Sequence, residues 1–330
     1  MLSRVADSLY WLSRYVERVD NLARMVNASR HEELESTASA EMEGSQSWDP
    51  LLYATCMDDA YKGSMDGDKD VSWFITYSPE NPDSIQQCVA HARENARMVR
   101  DQISEELWLE LNSFHLYMKS GEASSLLMHQ PDAFFRKVIQ FSMLVSGLIG
   151  ATILQDEGWH FIELGKYLER ADKTTRILDM IVFQGDPQRS RLSSALLSCS
   201  GLSAFRTEYR GQVTLDNVMN FLLFSQSFPR SVRFCVRQLD EQLHTLSGTS
   251  MGAYSNEAER LTGSLIAQLN FNRVENVMQT GPHVFVDDLQ KQFNDIGQQI
   301  FETFVLLPLE IRKESLQENW RWQVQQQQQQ

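Results

Sequence analysis

The chain has 330 residues, a formal net charge of −14 and a pI near 5.0, with 42% hydrophobic residues. That apolar content is ordinary, so a core forms without covalent staples, and the length allows two domains or one large helical body. The acidic balance repels a phosphate backbone and argues against non-specific nucleic-acid binding, while a local basic cluster can still hold a small anion.

Residues 2–28 carry Leu2, Val5, Leu9, Leu12, Val16, Val19, Leu22 and Val26 at intervals of three and four, the period of an amphipathic helix. No Pro or Gly interrupts residues 1–43, and the spacing predicts fraying near Glu35 and a loop over 36–49. Asp49-Pro50 opens a short helix to about residue 62. Lys62 to Asp70 is a loop, and residues 71–77 are predicted helical. Pro82 is expected to open one long helix to about Ser120, Gly121 to end it, and Pro131 to open the next through about Ile153. The plan then recurs, with helices over 155–183, near 188–208, at 214–226 and from Pro229. Gly185-Asp186-Pro187 is a stop, Ser247 to Ala253 a Gly/Ser loop, and Pro282 opens a last long helix that Pro308 kinks. No alternating strand pattern flanked by hairpin turns occurs, so the class is all-α.

The longest apolar run, Phe141 to Leu154, contains Ser142, Ser146, Gly147 and Gly150 and is expected to be a buried helix. It falls short of the roughly 18 apolar residues of a membrane span. Arg4 and Asp7 interrupt any secretory apolar segment. Cys56, Cys88, Cys199 and Cys235 are widely spaced with no CxxC, which fits reduced thiols and a cytoplasmic protein. Residues 319–330, ending in Gln325 to Gln330, are expected to be a disordered tail.

One stretch is written twice. Tyr15-Val16-Glu17-Arg18-Val19-Asp20, with Arg24, matches Tyr167-Leu168-Glu169-Arg170-Ala171-Asp172, with Arg176, 152 positions on. Phe74-Ile75-Thr76-Tyr77 matches Phe221-Leu222-Leu223-Phe224, 147 positions on. Asn81-Pro82-Asp83-Ser84-Ile85, with Cys88-Val89, matches Phe228-Pro229-Arg230-Ser231-Val232, with Cys235-Val236, at the same offset. Pro131-Asp132-Ala133-Phe134 matches Pro282-His283-Val284-Phe285. The order and spacing read as a duplicated helical unit, 1–153 and 154–318, forming one large bundle or two pseudo-symmetric packed bundles.

On the first helix Arg4, Asp7, Trp11, Tyr15, Arg18 and Leu22 share a strip bordering the apolar face. Asp156, Trp159, Glu163, Tyr167, Arg170 and Thr174 share the matching strip. Glu17 and Arg18 are adjacent and point about 100° apart, so neither neutralises the other. Partners on another helix would cross-brace the repeats by buried ion pairs, whereas an open arrangement would hold an anionic group. Arg93, Arg97 and Arg100 fall at i, i+4 and i+7, one helical stripe, which needs carboxylates of neighbouring helices, Glu17 or Glu169 among them, or a bound anion. At the equivalents of Arg93 and Arg97 the second unit has Asp240 and His244 and carries Arg230, Arg233 and Arg237 instead, which points to one asymmetric site.

The candidate acid–base groups are therefore Glu17, Glu94 and Glu169. The candidate anion-binding groups are Arg18, Arg93, Arg97, Arg100, Arg170, Arg176 and Arg230, beside Trp11, Tyr15 and Tyr167. Glu157-x-x-His160 and Glu241-x-x-His244 have the spacing of di-metal carboxylate bundles but sit at non-equivalent places in the repeat, so no metal or cofactor is expected. No phosphate loop, nucleophile elbow or HExxH occurs. Cys88 and Cys235 fall on apolar faces as core residues.

Met1-Leu2-Ser3-Arg4-Val5-Ala6-Asp7-Ser8-Leu9-Tyr10-Trp11-Leu12, running into Arg14-Tyr15-Val16-Glu17-Arg18, resembles the start of the bacterial alpha-E family. Ala92 to Asp101 with Trp108 and Asn112, Leu168 to Asp172 with Arg176, and Phe228 to Val232 resemble it too. The resemblance reaches about residue 315, with Ser13 where Gly is expected. It implies an all-helical fold with a Glu-Arg motif, encoded with or fused to a circularly permuted ATP-grasp ligase, often beside a transglutaminase-like protease. The implied setting is ATP-dependent formation or modification of peptide-like amides. The expected role is a non-catalytic or substrate-presenting partner of that ligase. The alternatives are an enzyme of the same pathway using Glu/Arg acid–base chemistry and, remotely, a ferritin-like di-metal bundle.

Overall fold

The computed structural model describes residues 3–38, 48–64, 70–182 and 187–306. The Gln tail, Gly185-Asp186 and the Pro308 kink lie outside them. Within the described residues all regular structure is helical, beginning with α1 (Ser3–Ala38), α2 (Asp49–Ala54), α3 (Asp58–Gly63), α4 (Val71–Tyr77) and α5 (Ile85–Met98). There follow α6 (Glu105–Met118), α7 (Gly121–His129), α8 (Pro131–Thr152), α9 (Glu157–Val182), α10 (Arg189–Ser198) and α11 (Leu202–Tyr209). The chain continues through α12 (Leu215–Phe224), α13 (Val232–Ser247), α14 (Glu257–Phe271), α15 (Val274–Thr280) and α16 (Pro282–Phe301), then a π-helical turn, Glu302–Leu306.

Three expected helices are each a pair. The helix from Pro82 to Ser120 is α5 and α6, because Ser104 caps a new start by accepting a hydrogen bond from the Leu107 amide at 3.2 Å. Pro82 lies in the turn before α5, whose cap is Ser84. Gly121 begins α7 under a Ser120 cap instead of ending a helix. The helices near 49–62 and 188–208 break at Cys56 and Ser200, both left-handed at φ 58° and 52°. No Gly or Pro marks the break at Cys56, whereas Gly201 follows Ser200 at the second. The first helix also runs past Glu35 to Ala38.

α1 and α9 form the axis. α5, α8 and α10 pack mainly on α1, and α2, α13 and α16 on α9. The stripe of Leu9, Leu12, Val16, Val19, Leu22 and Val26 is buried, as its period requires. The two axial helices touch at Gly165, where a Cβ would stand 2.3 Å from the Tyr10 carbonyl oxygen, so only glycine permits the approach. α8 is apolar and long enough to cross a bilayer, with mean hydropathy 1.3, contrary to the sequence expectation. It is not wholly buried either: Phe134, Phe135, Val138, Phe141 and Val145 enter the core, while Met143 and Leu144 are exposed.

Candidate functional site

The Glu-Arg dipeptides of α1 and α9 meet across the axis and exchange partners. Arg170 donates from Nε to Glu17 Oε1 and from Nη2 to Glu17 Oε2, both at 2.8 Å. Arg18 donates in return from Nε to Glu169 Oε1 at 2.7 Å and from Nη2 to Oε2 at 3.2 Å. Planar forks matched to carboxylates give strong, directional pairs. Each carboxylate gains further cations. Arg14 Nε reaches Glu169 at 2.8 Å, Lys173 stands 3.5 Å from it, and Arg230 Nη1 reaches Glu17 at 3.1 Å.

The flanks follow the same plan. Arg24 Nε donates to Asp20, and Arg176 Nε to Asp172, each at 2.9 Å. Their far ends hold the two left-handed breaks: Arg24 donates to the Ser200 hydroxyl, and Arg176 to Cys56 Sγ at 3.1 Å and the Ala54 carbonyl at 2.9 Å. The Arg18 and Arg170 guanidinium groups lie 5.6 and 5.8 Å from the Tyr15 and Tyr167 rings. The two sequence-matched stretches differ here: Arg18 meets Asp83 of the turn before α5, while Arg230, at the position matched to Asp83, reaches back to Asp20 and Glu17.

Glu17 is 4% exposed and Glu169 0%. Burial alone would raise the Glu17 carboxyl, but Arg170 and Arg230 override it and hold it at about 2. Burial opposes ionisation of Glu169 in the same way, and Lys173, Arg14 and Arg18 bring it well below the usual range. The seam is ionised and closed by ion pairs across neutral pH.

One flank is open. A cleft of about 280 Å³ against α8 exposes edges of Glu17, Asp20, Arg24, Arg170 and Arg230, three guanidinium groups facing two carboxylates. On the opposite side Trp11, Tyr10 and Arg14 border a second cleft of about 320 Å³ with α16. Trp11 lies 5.5 Å from Tyr15, whose ring stacks on His91 at 5.1 Å, carrying the aromatic strip from the seam to α5.

The Arg93 stripe is elsewhere. Arg93 and Arg97 pair with Glu94 of their own helix and, among the described residues, not with Glu17, Glu169 or another neighbouring helix's carboxylate. Arg93 also reaches Asn112 at 3.0 Å, and Arg100 lies 4.7 Å over Trp108. Glu94 is half exposed and held low by hydrogen bonds from Arg97 and Arg93. Of the proposed acid–base groups the structure thus unites Glu17 and Glu169 and separates Glu94. It adds Arg14, Asn21, Asp83 and Lys173, which sequence reasoning did not single out; Arg14 falls outside the matched stretches, and Asp83 stands inside one, opposite Arg230, where the residue types differ. Asp20 and Asp172 stood inside it.

His160 Nδ1 lies 2.6 Å from Gln242, and both His244 ring nitrogens meet backbone carbonyls, of Asp240 at 2.9 Å and Ala253 at 3.0 Å. No group of three or more metal-ligating side chains gathers among the described residues.

Residues 1–305 match the Alpha-E family model, described as a predicted alpha-helical domain with a conserved ER motif. Of the chain's three Glu-Arg dipeptides, those at 17–18 and 169–170 build the seam. The third is apart: Glu259 accepts from the Ser255 amide and Arg260 pairs with Glu257. An uncharacterised protein of Mycobacterium bovis is 24% identical over 293 residues, covering 83% of this chain and 33% of the relative. Uncharacterised proteins of two Mycobacterium tuberculosis strains match to the same extent. The chain thus spans about a third of the length of these curated relatives. No solved structure matches it.

Proposed function

The chain belongs to the Alpha-E family, and on that premise we propose that it serves as a helical, non-catalytic partner of a circularly permuted ATP-grasp ligase that makes or modifies peptide-like amides in the cytoplasm, with a transglutaminase-like protease as a further partner. The observation that carries the non-catalytic reading is the closed seam. A general acid or base needs a pKa near working pH and a path to a substrate proton. Glu17 is held at about 2 and bonded to Arg170 and Arg230. Glu169 is fully buried among Arg14, Arg18 and Lys173. Such a seam braces a scaffold. Anionic substrate presentation falls to the open α8 flank, where Arg24 keeps guanidinium edges toward the cleft.

About two thirds of each curated relative lies outside the match, which leaves room for further domains on one polypeptide and supports a division of labour between a helical body and a separate catalytic part. The exchanged ion pairs and the matched contacts of Arg24 and Arg176 support reading 1–153 and 154–318 as two copies of one unit. Co-purification with the ligase, and ligase turnover with and without this chain, test the reading. A complex and altered turnover are expected; a ligase that elutes alone and turns over equally in its absence overturns it.

A further inference from the structure

A cleft of about 630 Å³ opens between α1, α4 and the α7–α8 junction, sharing no lining residue with the seam. Its walls are Trp73, Leu127, Met128 and Pro131, and its polar groups are Arg30, Asp70 and Ser72. Asp70 caps α4, accepting from the Ser72 amide at 3.2 Å. The Ser72 side chain is left over: the residue is 1% exposed, and its hydroxyl has no hydrogen-bond partner among the described residues. Arg30 Nε is also buried without one. Buried polar groups are nearly always satisfied, so two unsatisfied donors at one apolar-walled cleft call for an acceptor that enters it.

The matched helix supplies a control. Where α4 has Ser72, Thr76 and Tyr77, α12 has Met219, Leu223 and Phe224, equally buried, and Arg30 is matched by Val182. The Thr76 and Tyr77 hydroxyls behind the cleft are unsatisfied too. Hydrocarbon fills these positions well in α12, so packing does not explain the polar set in α4.

We propose that this cleft binds a small amphipathic carboxylate. The carboxylate accepts from Arg30 and the Ser72 hydroxyl, and the apolar body lies on Trp73, Leu127 and Met128. One guanidinium and one hydroxyl suit a monoanion; a dianion would meet the Asp70 carboxylate at the rim and the strongly negative chain around it.

Calorimetric titration of the full chain with hexanoate, octanoate and 3-phenylpropionate, each against its neutral primary amide, tests this. At least one carboxylate is expected to saturate a single site, with its amide about tenfold weaker or worse. Arg30→Met should cost a similar factor. Ser72→Ala should weaken binding severalfold without lowering the melting temperature. Met128→Asp, at a side chain 69% exposed and so of small folding cost, should abolish binding by placing a like charge at the rim. No saturation by any of the three acids, equal binding of acid and amide, or unchanged affinity in Arg30→Met or Met128→Asp overturns the proposal. A ligase partner found or missing does not bear on this result.

Discussion

Replacing Glu169 by Gln decides between a brace and an active site. The substitution keeps shape and removes one charge. Glu169 is fully buried and accepts from Arg14 Nε at 2.8 Å and from Arg18 at 2.7 and 3.2 Å, with Lys173 at 3.5 Å. A neutral amide leaves those cations uncompensated, and its NH₂ faces donors. Removing one partner of a buried pair costs about 3–5 kcal/mol. At this chain length that lowers the thermal midpoint by about 5–8 °C. Scanning calorimetry or far-ultraviolet circular dichroism reads it directly. Glu94→Gln is the control, since Glu94 is half exposed and surface pairs contribute little, so its midpoint should move by under about 1 °C. A Glu169→Gln protein that melts with the wild type while losing activity refutes the brace and restores the enzymatic reading.

Acid should act through the same carboxylates. Glu17 is held at about 2 against an ordinary 4.5, so its contribution is present above about pH 4.5 and lost as pH falls toward 2, amounting to about 3 kcal/mol. The melting temperature should fall steeply through that window and less steeply in Glu17→Gln; superimposable curves contradict this. Burial pushes the Cys88, Cys199 and Cys235 thiols up to about 12, whereas Cys56 is exposed, so a disulfide exchange reagent at neutral pH should titrate one thiol rapidly in the native chain and four after denaturation. Two or more fast native thiols would refute the burial. Gly165→Ala should destabilise strongly, because its Cβ would meet backbone 2.3 Å away and force α9 off α1; a variant with wild-type melting would mean the helices cross elsewhere.

The all-α class and most helix starts were legible, since period and capping are local. Leu9 to Val26 declare the buried face of α1, and Pro131 and Pro282 open α8 and α16 where expected. Ser104 is a strong cap, yet no Gly or Pro stands before it, so α5 and α6 read as one helix. Cys56 and Ser200 are the left-handed closing residues of helix ends, where the Met57 amide returns to the Leu52 carbonyl and the Gly201 amide to the Leu196 carbonyl, and the Arg176 and Arg24 contacts to their side chains span 120 and 176 positions. The seam was legible from the twice-written dipeptide, since its adjacent charges demand partners on other helices. Which guanidinium belonged to it was not: Arg93 and Arg230 both sit in arginine stripes of long helical segments, and the turn before α13 carries Arg230 onto Asp20 while Arg93 turns to Asn112.

Buried ion pairs are seldom more stable than hydrocarbon of the same volume, so their value here is better sought in what they exclude. A leucine seam between two long helices tolerates a slide of one helical turn, about 5.4 Å. The exchanged pairs do not. Such a slide takes Arg170 from Glu17 and Arg18 from Glu169 together, stranding four charges in the axis of the protein. Because each dipeptide serves both halves of the exchange, one error in register breaks both. The cleft beneath α4 is therefore held in fixed shape by a seam that takes no part in its chemistry, whereas the α8-flank cleft is lined by the seam's own Glu17, Arg170 and Arg230.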